Sequence, residues 1–214
     1  MDHIDIIRTL KYLPGIILGL TVHEFSHAIV AKWCGDNTSA EQGRVTLNPL
    51  KHIDPLGFVL LLVAGFGWAK PVQFREENLR NPKTDILKIA VAGPFSNALL
   101  AMLLSVIMVL TSKMVTGTVT GFENTSFEML FYAVYINWGL FIFNLIPLPP
   151  LDGSHLLFHP FRRYPEVYAW LYRYGSLALF FLLIAASVSG KNLIPIGKAI
   201  QSLTEGFLGL LGYR

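Results

Sequence analysis

Two histidines and a glutamate stand inside an apolar block near the start of the chain, in the sequence TVHEFSHA at 21–28. His23 and His27 are four residues apart, so on a helix they share one face and can bind a single metal ion. Glu24 follows the first histidine and can reach a metal-bound water as a general base. Ionisable groups inside a membrane helix are costly unless they face a polar interior, which indicates function. A hydrogen-bond cluster between packed helices is the alternative.

A third ligand must come from elsewhere, because a catalytic zinc site uses three protein ligands and keeps one position open for water. The strongest candidate is Asp152, in NLIPLPPLDGSH at 144–155. Three prolines break the apolar segment there, and broken backbone at membrane depth is tolerated where it lines a cavity. Three further histidines could also bind zinc but are better explained as residues of the membrane surface: His52, His155 and His159.

The composition predicts an all-α polytopic membrane protein. Hydrophobic residues make up 53% of the 214 residues and charged ones only 14%, against a usual charged share of about 25%. Four apolar stretches are long enough to cross a bilayer, which needs about 20 residues. They are residues 13–33, 86–111, 129–149 and 171–188. We expect one intramembrane domain over 1–214.

The region 43–74, between the first two spans, is expected to lie at the membrane surface. Residues 56–68 are apolar but too short to cross comfortably, which predicts a re-entrant helix with Asp54 as its N-cap and Pro55 in its first turn. The sequences GRVTLN at 43–48 and WAKPVQF at 68–74 look extended and predict a small surface β-sheet.

The tail at 192–212 has the pattern of an amphipathic helix. Such a helix can lie in the membrane interface or pack back against the bundle. The sequence leaves both arrangements open.

Basic residues gather on one side of the predicted spans. Eight Lys or Arg residues lie at 32–88, in the connection between the first and second spans and at its two edges, and three follow the third span. The connection between the second and third spans has only Lys113. The positive-inside rule places the richer side in the cytoplasm. The net charge of +3 is explained by this topology and requires no nucleic-acid partner.

The two motifs are expected to meet. The HEFSH sequence lies toward the C-terminal end of the first span, and Asp152 follows the C-terminal end of the third. Since alternate spans run in the same direction, both motifs fall at similar depth on the cytoplasmic side. A shared metal ion requires that placement.

Two asparagines lie in apolar segments and need partners there. Asn97 is within the second span, and Asn144 opens the proline-rich segment. Each amide either packs helices together or donates a hydrogen bond to the substrate carbonyl or its developing oxyanion. For Asn97 we favour the packing role. For Asn144 both roles stay open.

Taken together, these motifs resemble the site-2 protease family of intramembrane zinc metalloproteases. The resemblance rests on HEFSHA at 23–28, AGPFSN at 92–97 and NLIPLPPLDG at 144–153, in that order. GRVTLNPLKHIDPLG at 43–57 and GWAKPV at 67–72 are similar to its compact prokaryotic branch, and no PDZ-like or CBS-like module is recognised.

The resemblance implies one zinc ion held by His23, His27 and Asp152, with Glu24 as the catalytic base. It also implies an active site close to the cytoplasm and transmembrane proteins as substrates, in a multi-pass protein of the cell membrane. Two other functions stay open on residue chemistry alone: a zinc hydrolase acting on a lipid or small molecule, and a metal-binding membrane scaffold or transporter. A base beside the ligands disfavours the scaffold. A monomer and a homo-oligomer are both compatible with the sequence.

Overall fold

The computed structural model describes residues 6–64, 67–114, 121–158, 161, 163–189 and 196–213. This part of the chain is mostly helical, and its helices are numbered here in chain order. They are α1 (Ile6–Trp33), α2 (Thr38–Glu41), α3 (Pro55–Ala64), α4 (Pro82–Met114), α5 (Gly121–Asn144), α6 (Gly153–Phe158), α7 (Pro165–Ser189) and α8 (Ile196–Leu210). Single 3-10 turns occur at Pro49–Lys51 and Glu76–Asn78.

Three helices of the described chain are long and apolar enough to cross a membrane. These segments are Leu10–Trp33 of α1, Pro82–Ser112 of α4 and Asn124–Asn144 of α5. Each helix packs against the other two, and together they cover the first three predicted spans. The third helix ends at Asn144 rather than at 149, because the prolines that follow have no backbone N–H and clash with the preceding turn.

Helices α1 and α5 approach closely where α1 carries glycines. A Cβ atom added to Gly15 would lie 2.7 Å from the Cα of Ala133, and one added to Gly19 would lie 2.8 Å from Oδ1 of Asn137. Small residues at such crossings let membrane helices pack backbone to backbone. This close packing brings the helix that carries His23 against the polar side chain of Asn137.

The C-terminal helix α8 packs back against the bundle. Ile200 and Leu208, two helical turns apart, are buried on one face. Ile200 joins the apolar core around Trp138 of α5, and Leu208 joins that around Met108 of α4. Of the two arrangements expected for the amphipathic tail, the structure has the packed one; residues 192–195 lie outside the described chain.

The predicted fourth span, 171–188, falls within α7. By length and composition the described part of α7 does not add a fourth membrane helix, so the count of four spans is not confirmed. α7 contacts the proline-rich segment where a Cβ on Gly175 would lie 2.6 Å from Cδ of Pro149. Most of the large apolar side chains whose exposure is described in α7 are exposed, among them Trp170 and Phe180.

A short helix begins where the sequence predicts one. Oδ1 of Asp54 accepts a hydrogen bond from the backbone N–H of Gly57 at 2.8 Å, which caps α3 with Pro55 in its first turn. α3 ends at Ala64, and residues 65 and 66 lie outside the described chain.

The small surface sheet is not confirmed. Within 43–48 and 68–74 the structure shows no strand, and the one pairing nearby is an isolated antiparallel bridge between Ile53 and Ala69. Pro71 cannot donate to a ladder. Side chains bind two of the backbone groups instead: Glu24 accepts a hydrogen bond from the N–H of Val72, and Arg44 donates one to the carbonyl of Lys70.

Candidate metal centre

Three potential ligand atoms converge toward the C-terminal ends of α1 and α5. Nε2 of His23 and Nε2 of His27 lie 3.0 Å apart. Oδ2 of Asp152 lies 3.1 Å from the first and 3.3 Å from the second. This trio, called here the metal cluster, is the one set of His, Cys, Asp and Glu in the described chain that is grouped closely enough to hold a metal ion.

Each histidine is oriented through its other ring nitrogen. Nδ1 of His27 lies 2.7 Å from the carbonyl oxygen of Ile89. Nδ1 of His23 lies 2.7 Å from Oδ1 of Asn97, whose Nδ2 donates to the carbonyl of Gly19 and to Oδ1 of Asn137. Both Nδ1 atoms therefore face acceptors and carry the ring protons, a tautomer that leaves Nε2 free to bind a metal.

The metal cluster fits zinc. With both ring protons on Nδ1, three atoms carrying lone pairs point at one another, and Oδ2 of Asp152 is buried without a hydrogen-bond donor in the described chain. Lone pairs at such distances repel unless a cation lies among them. Tetrahedral zinc with bonds of 2.0–2.1 Å separates its ligands by about 3.4 Å, close to the observed spacing.

Gly93 of α4 leaves the room for this cluster. A Cβ atom at this position would lie 2.4 Å from Nε2 of His27 and 2.7 Å from Nε2 of His23. Both rings are in the core, with side-chain exposures of 7% for His23 and 10% for His27. A side chain at position 93 would therefore occupy the space in front of the ligand atoms.

A tightly folded turn after α5 positions Asp152. The backbone N–H of Leu151 donates to the carbonyl of Leu148, and that of Ser154 donates to the carbonyl of Leu151, both at 3.0 Å. A Cβ on Gly153 would lie only 2.3 Å from the carbonyl oxygen of Leu145. The turn can therefore fold back onto the end of α5, and it places the Asp152 carboxylate beside the histidines.

Glu24 lies beside the metal cluster and is held by connecting segments rather than by helices. Its Oε2 accepts a hydrogen bond from the backbone N–H of Val72 at 2.9 Å, and a guanidinium nitrogen of Arg44 lies 4.0 Å from the same oxygen. Glu24 is only 8% exposed. Its Oε1 makes no hydrogen bond within the described chain and is free for a water or a substrate.

Arg44 and His52 form the support behind Glu24. Arg44 is 4% exposed and donates from Nη2 to the carbonyl of Lys70. The backbone N–H of Lys70 donates to the carbonyl of His52 at 2.8 Å, and Nε2 of His52 donates to the carbonyl of Thr46. Burial and the nearby Arg44 lower the pKa of His52, so this histidine is a neutral structural residue away from the metal cluster.

The metal cluster and Glu24 line a cavity of about 870 Å³, called here the inner cavity. His155 and Asn144, both singled out in the sequence, also border it, although Nδ2 of Asn144 donates to the carbonyl of Leu140 in its own helix. Asn97 is fully buried against His23 and does not border the cavity. His159 lies outside the described residues.

Two supporting residues were not identified from the sequence. Asn137 is fully buried, and its Oδ1 accepts a hydrogen bond from Asn97. The signal that drew attention to Asn97, an amide in an apolar helix, applied equally to Asn137. Arg44 was counted only as a charge that indicates topology, since no local pattern tells a buried arginine from an exposed one.

The geometry defines a class of site: two histidines of one helix and a distant aspartate, grouped closely enough to hold a metal ion beside a glutamate, in a chain with helices apolar enough to cross a membrane. The sequence profile of Peptidase family M50 matches residues 12–183. The chain therefore belongs to this family, the site-2 protease family.

Three relatives illustrate the similarity, each provisionally named a zinc metalloprotease. YwhC of Bacillus subtilis is 40% identical over 142 residues, which cover 66% of this chain and 65% of YwhC. Rip2 of Mycolicibacterium smegmatis is 28% identical over 165 residues, covering 70% and 59% of the two chains. MJ0611 of Methanocaldococcus jannaschii is 30% identical over 146 residues, covering 67% of each. The chain thus spans less than two thirds of the length of the first two relatives. No solved structure gives a significant match.

Proposed function

We propose that this chain is an intramembrane zinc metalloendopeptidase that hydrolyses peptide bonds within or next to the transmembrane segments of other membrane proteins. The observation that carries the proposal is the convergence of His23, His27 and Asp152 beside Glu24, at the end of helices apolar enough to cross a membrane. Membership of Peptidase family M50 supports a peptide rather than a lipid substrate.

In this proposal His23, His27 and Asp152 hold one zinc ion. Bound zinc supplies a water of lowered pKa and polarises the scissile carbonyl. Asn97 and the carbonyl of Ile89 keep the two imidazoles in the ligating tautomer. The rings therefore need no reorientation when metal binds.

Glu24 acts as the proton carrier. The hydrogen bond from Val72 fixes one carboxylate oxygen, and the other is free to take a proton from the attacking water and deliver it to the leaving amine. Asn144 borders the same cavity and has a second amide hydrogen beyond the one given to Leu140. It is placed to bind a substrate carbonyl, whereas Asn97 acts through His23.

The membrane placement belongs to the same proposal. We expect α7 to cross the bilayer beside α1, α4 and α5, with the active site opening toward the cytoplasm in a multi-pass cell-membrane protein. The basic residues between α1 and α4 support this orientation by the positive-inside rule. Transmembrane helices are the substrates, and lipid surrounds the bundle.

A paired measurement tests the proposal. Zinc content and cleavage of a synthetic transmembrane peptide are measured for the wild type, Glu24→Gln and Asp152→Ala in one detergent or bilayer. Glu24→Gln is expected to keep zinc and lose cleavage by on the order of 10²–10⁴-fold, the range of general-base catalysis. Asp152→Ala is expected to lose both, because two ligands remain.

Three results would contradict the proposal. Full cleavage by Glu24→Gln would remove Glu24 from the mechanism. Full zinc occupancy in Asp152→Ala would show that the third ligand lies elsewhere. Hydrolysis of a lipid ester but of no peptide by the zinc-loaded wild type would make the protein a different membrane hydrolase.

A further inference from the structure

A second, polar cavity adjoins the inner cavity. It has a volume of about 520 Å³ and is called here the outer cavity. Three side chains border both cavities: Thr38, Gln42 and Arg75. The two cavities therefore meet at these three side chains, which form their junction.

The two cavities differ in the polarity of their lining side chains. The inner cavity is walled largely by apolar side chains of the membrane helices, such as Leu20, Ile89 and Phe143. The outer cavity is bordered by polar residues of the segments that connect α1 to α4, among them Asn37, Glu41 and Asn78. A peptide that lies in both cavities must therefore pass from an apolar to a polar sequence at their junction.

The junction is built on a buried carboxylate. Asp36 is fully buried and accepts hydrogen bonds from Nδ2 of Asn78 at 2.7 Å, Oγ1 of Thr38 at 2.6 Å and the backbone N–H of Arg75 at 3.1 Å. Burial would raise the pKa of Asp36, but these hydrogen bonds outweigh it and hold the pKa below its ordinary value. The carboxylate fixes the backbone on both sides of the junction.

Arg75 is the positively charged residue at this junction. Its backbone is held by Asp36, whereas its side chain is exposed and makes no hydrogen bond or ion pair within the described chain. Among the described residues that line either cavity it is the only lysine or arginine. The other charged residues are acidic: Glu24 and Asp152 in the inner cavity and Glu41 in the outer one.

We propose that the outer cavity binds the polar stretch that flanks the apolar segment of a substrate, and that Arg75 selects a substrate carboxylate at the first polar position. This inference rests on the proposed peptidase function and names the substrate feature that the same site recognises. An exposed ion pair contributes up to about 1 kcal/mol, which corresponds to about a fivefold preference. Peptide bonds near the end of a transmembrane segment are the ones that reach the metal cluster in this binding mode.

Peptides that differ in charge at the first polar position test whether Arg75 selects a carboxylate there. Synthetic transmembrane peptides carry Asp, Asn or Lys at the first polar position, at one flank and then at the other, and kcat/KM is measured for each. The wild type is expected to prefer Asp over Lys by about fivefold at one flank, with Asn between them. Added salt should reduce the difference, because it screens exposed charges.

Charge reversal provides the decisive comparison. Arg75→Glu is expected to prefer Lys over Asp at that flank, with each kcat/KM taken relative to the same variant's value for the Asn peptide. Lys83→Glu is the matched control: it makes the same charge change on an exposed residue of the first turn of α4, outside both cavities. It should keep the wild-type order.

A binding measurement separates this inference from the proposed function. Affinities of the same peptides for Glu24→Gln, alone and combined with Arg75→Glu, do not depend on cleavage. The same reversal of order in binding supports the role of Arg75 even if no peptide is cut. Equal affinity and equal kcat/KM for the three peptides at both flanks would overturn the proposed role of Arg75. If all three peptides were nevertheless cleaved, the proposed peptidase function would still hold.

Discussion

The two sides of the inner cavity are built by different means. The ligand side is held by side chains of packed membrane helices: Asn97 of α4 fixes His23, and Asn137 of α5 fixes Asn97. The base side is held by connecting segments: Val72 and Arg44 contact Glu24. Since helix packing is rigid and loop backbone is more mobile, metal binding and base placement should respond to different substitutions.

This difference can be tested by asking which changes lower zinc affinity and which lower kcat alone. Substitutions in α4 and α5 should change zinc content first. Substitutions in 43–75 should lower the rate while zinc stays bound. The expected effects follow from the largest to the smallest.

Gly93→Val should have the largest effect. Its side chain would lie where the Nε2 atoms of both histidines converge, so zinc affinity should fall by at least about 100-fold, beyond the usual effect of residues behind the ligands. The measurement is competition for zinc against a chelator of known affinity. Val91→Leu, an exposed position on the same helix, is the control, and normal zinc binding by Gly93→Val would contradict the geometry of the cluster.

Asn97→Leu should lower zinc affinity by about 10–100-fold, because His23 loses the acceptor that fixes its tautomer. Ser105→Ala removes another buried polar group of α4, a hydroxyl that donates to the carbonyl of Ala101 in its own helix, and should leave zinc affinity unchanged. Asn137→Leu should have a smaller effect than Asn97→Leu, since it acts through Asn97. If Asn97→Leu lowered thermal stability but not zinc affinity, its role would be packing alone.

Val72→Pro should lower kcat about tenfold while zinc content and KM stay constant. The proline removes the N–H that binds Glu24, and a hydrogen bond to a charged group is worth about 1.5–3 kcal/mol. Gln73→Pro makes the same backbone change at the next position, whose N–H makes no hydrogen bond within the described chain. Similar rates for the two variants would mean that Val72 does not position the base.

Arg44→Gln should lower kcat about fivefold, since it removes a charge that contributes about 1 kcal/mol beside Glu24, with zinc unchanged. Arg44→Lys keeps the charge and should recover part of the rate. The ratio of kcat to zinc content, measured for both variants, tells whether Arg44 positions Glu24 or supports the fold. A parallel loss of zinc and rate in Arg44→Gln would assign Arg44 to the fold rather than to the positioning of Glu24.

Local sequence predicted the elements whose signals are local. Helix periodicity and the i, i+4 spacing indicated one face for His23 and His27, and the Asp54–Pro55 pair marked the start of α3. Length and apolarity located α4 to within about a turn at both ends and α1 at its C-terminal end, whereas α1 begins earlier than predicted and α5 is displaced at both ends. The end of α5 was displaced because apolar residues continue beyond Asn144, while the prolines there forbid a helix.

The surface sheet was predicted from extended-looking sequence and is not confirmed. Residues 43–48 and 68–74 have the short apolar and β-branched pattern of strands. Whether strands pair depends on partners distant in sequence, and here a bridge at Ile53 and Ala69 is accompanied by contacts from Arg44 and Glu24. Side chains take up backbone groups that a ladder would otherwise use.

By itself, the sequence predicted which residues can do chemistry and placed His23, Glu24 and His27 on one long apolar helix, because residue type, spacing and apolar length are local properties. Tertiary structure alone decided that Asn97 and Asn137 support His23, that Gly93 gives the ligands room, and that Arg44 and Val72 hold Glu24. Each of these contacts joins residues far apart in the chain, and no local pattern encodes the close helix approach or the buried partner that makes them.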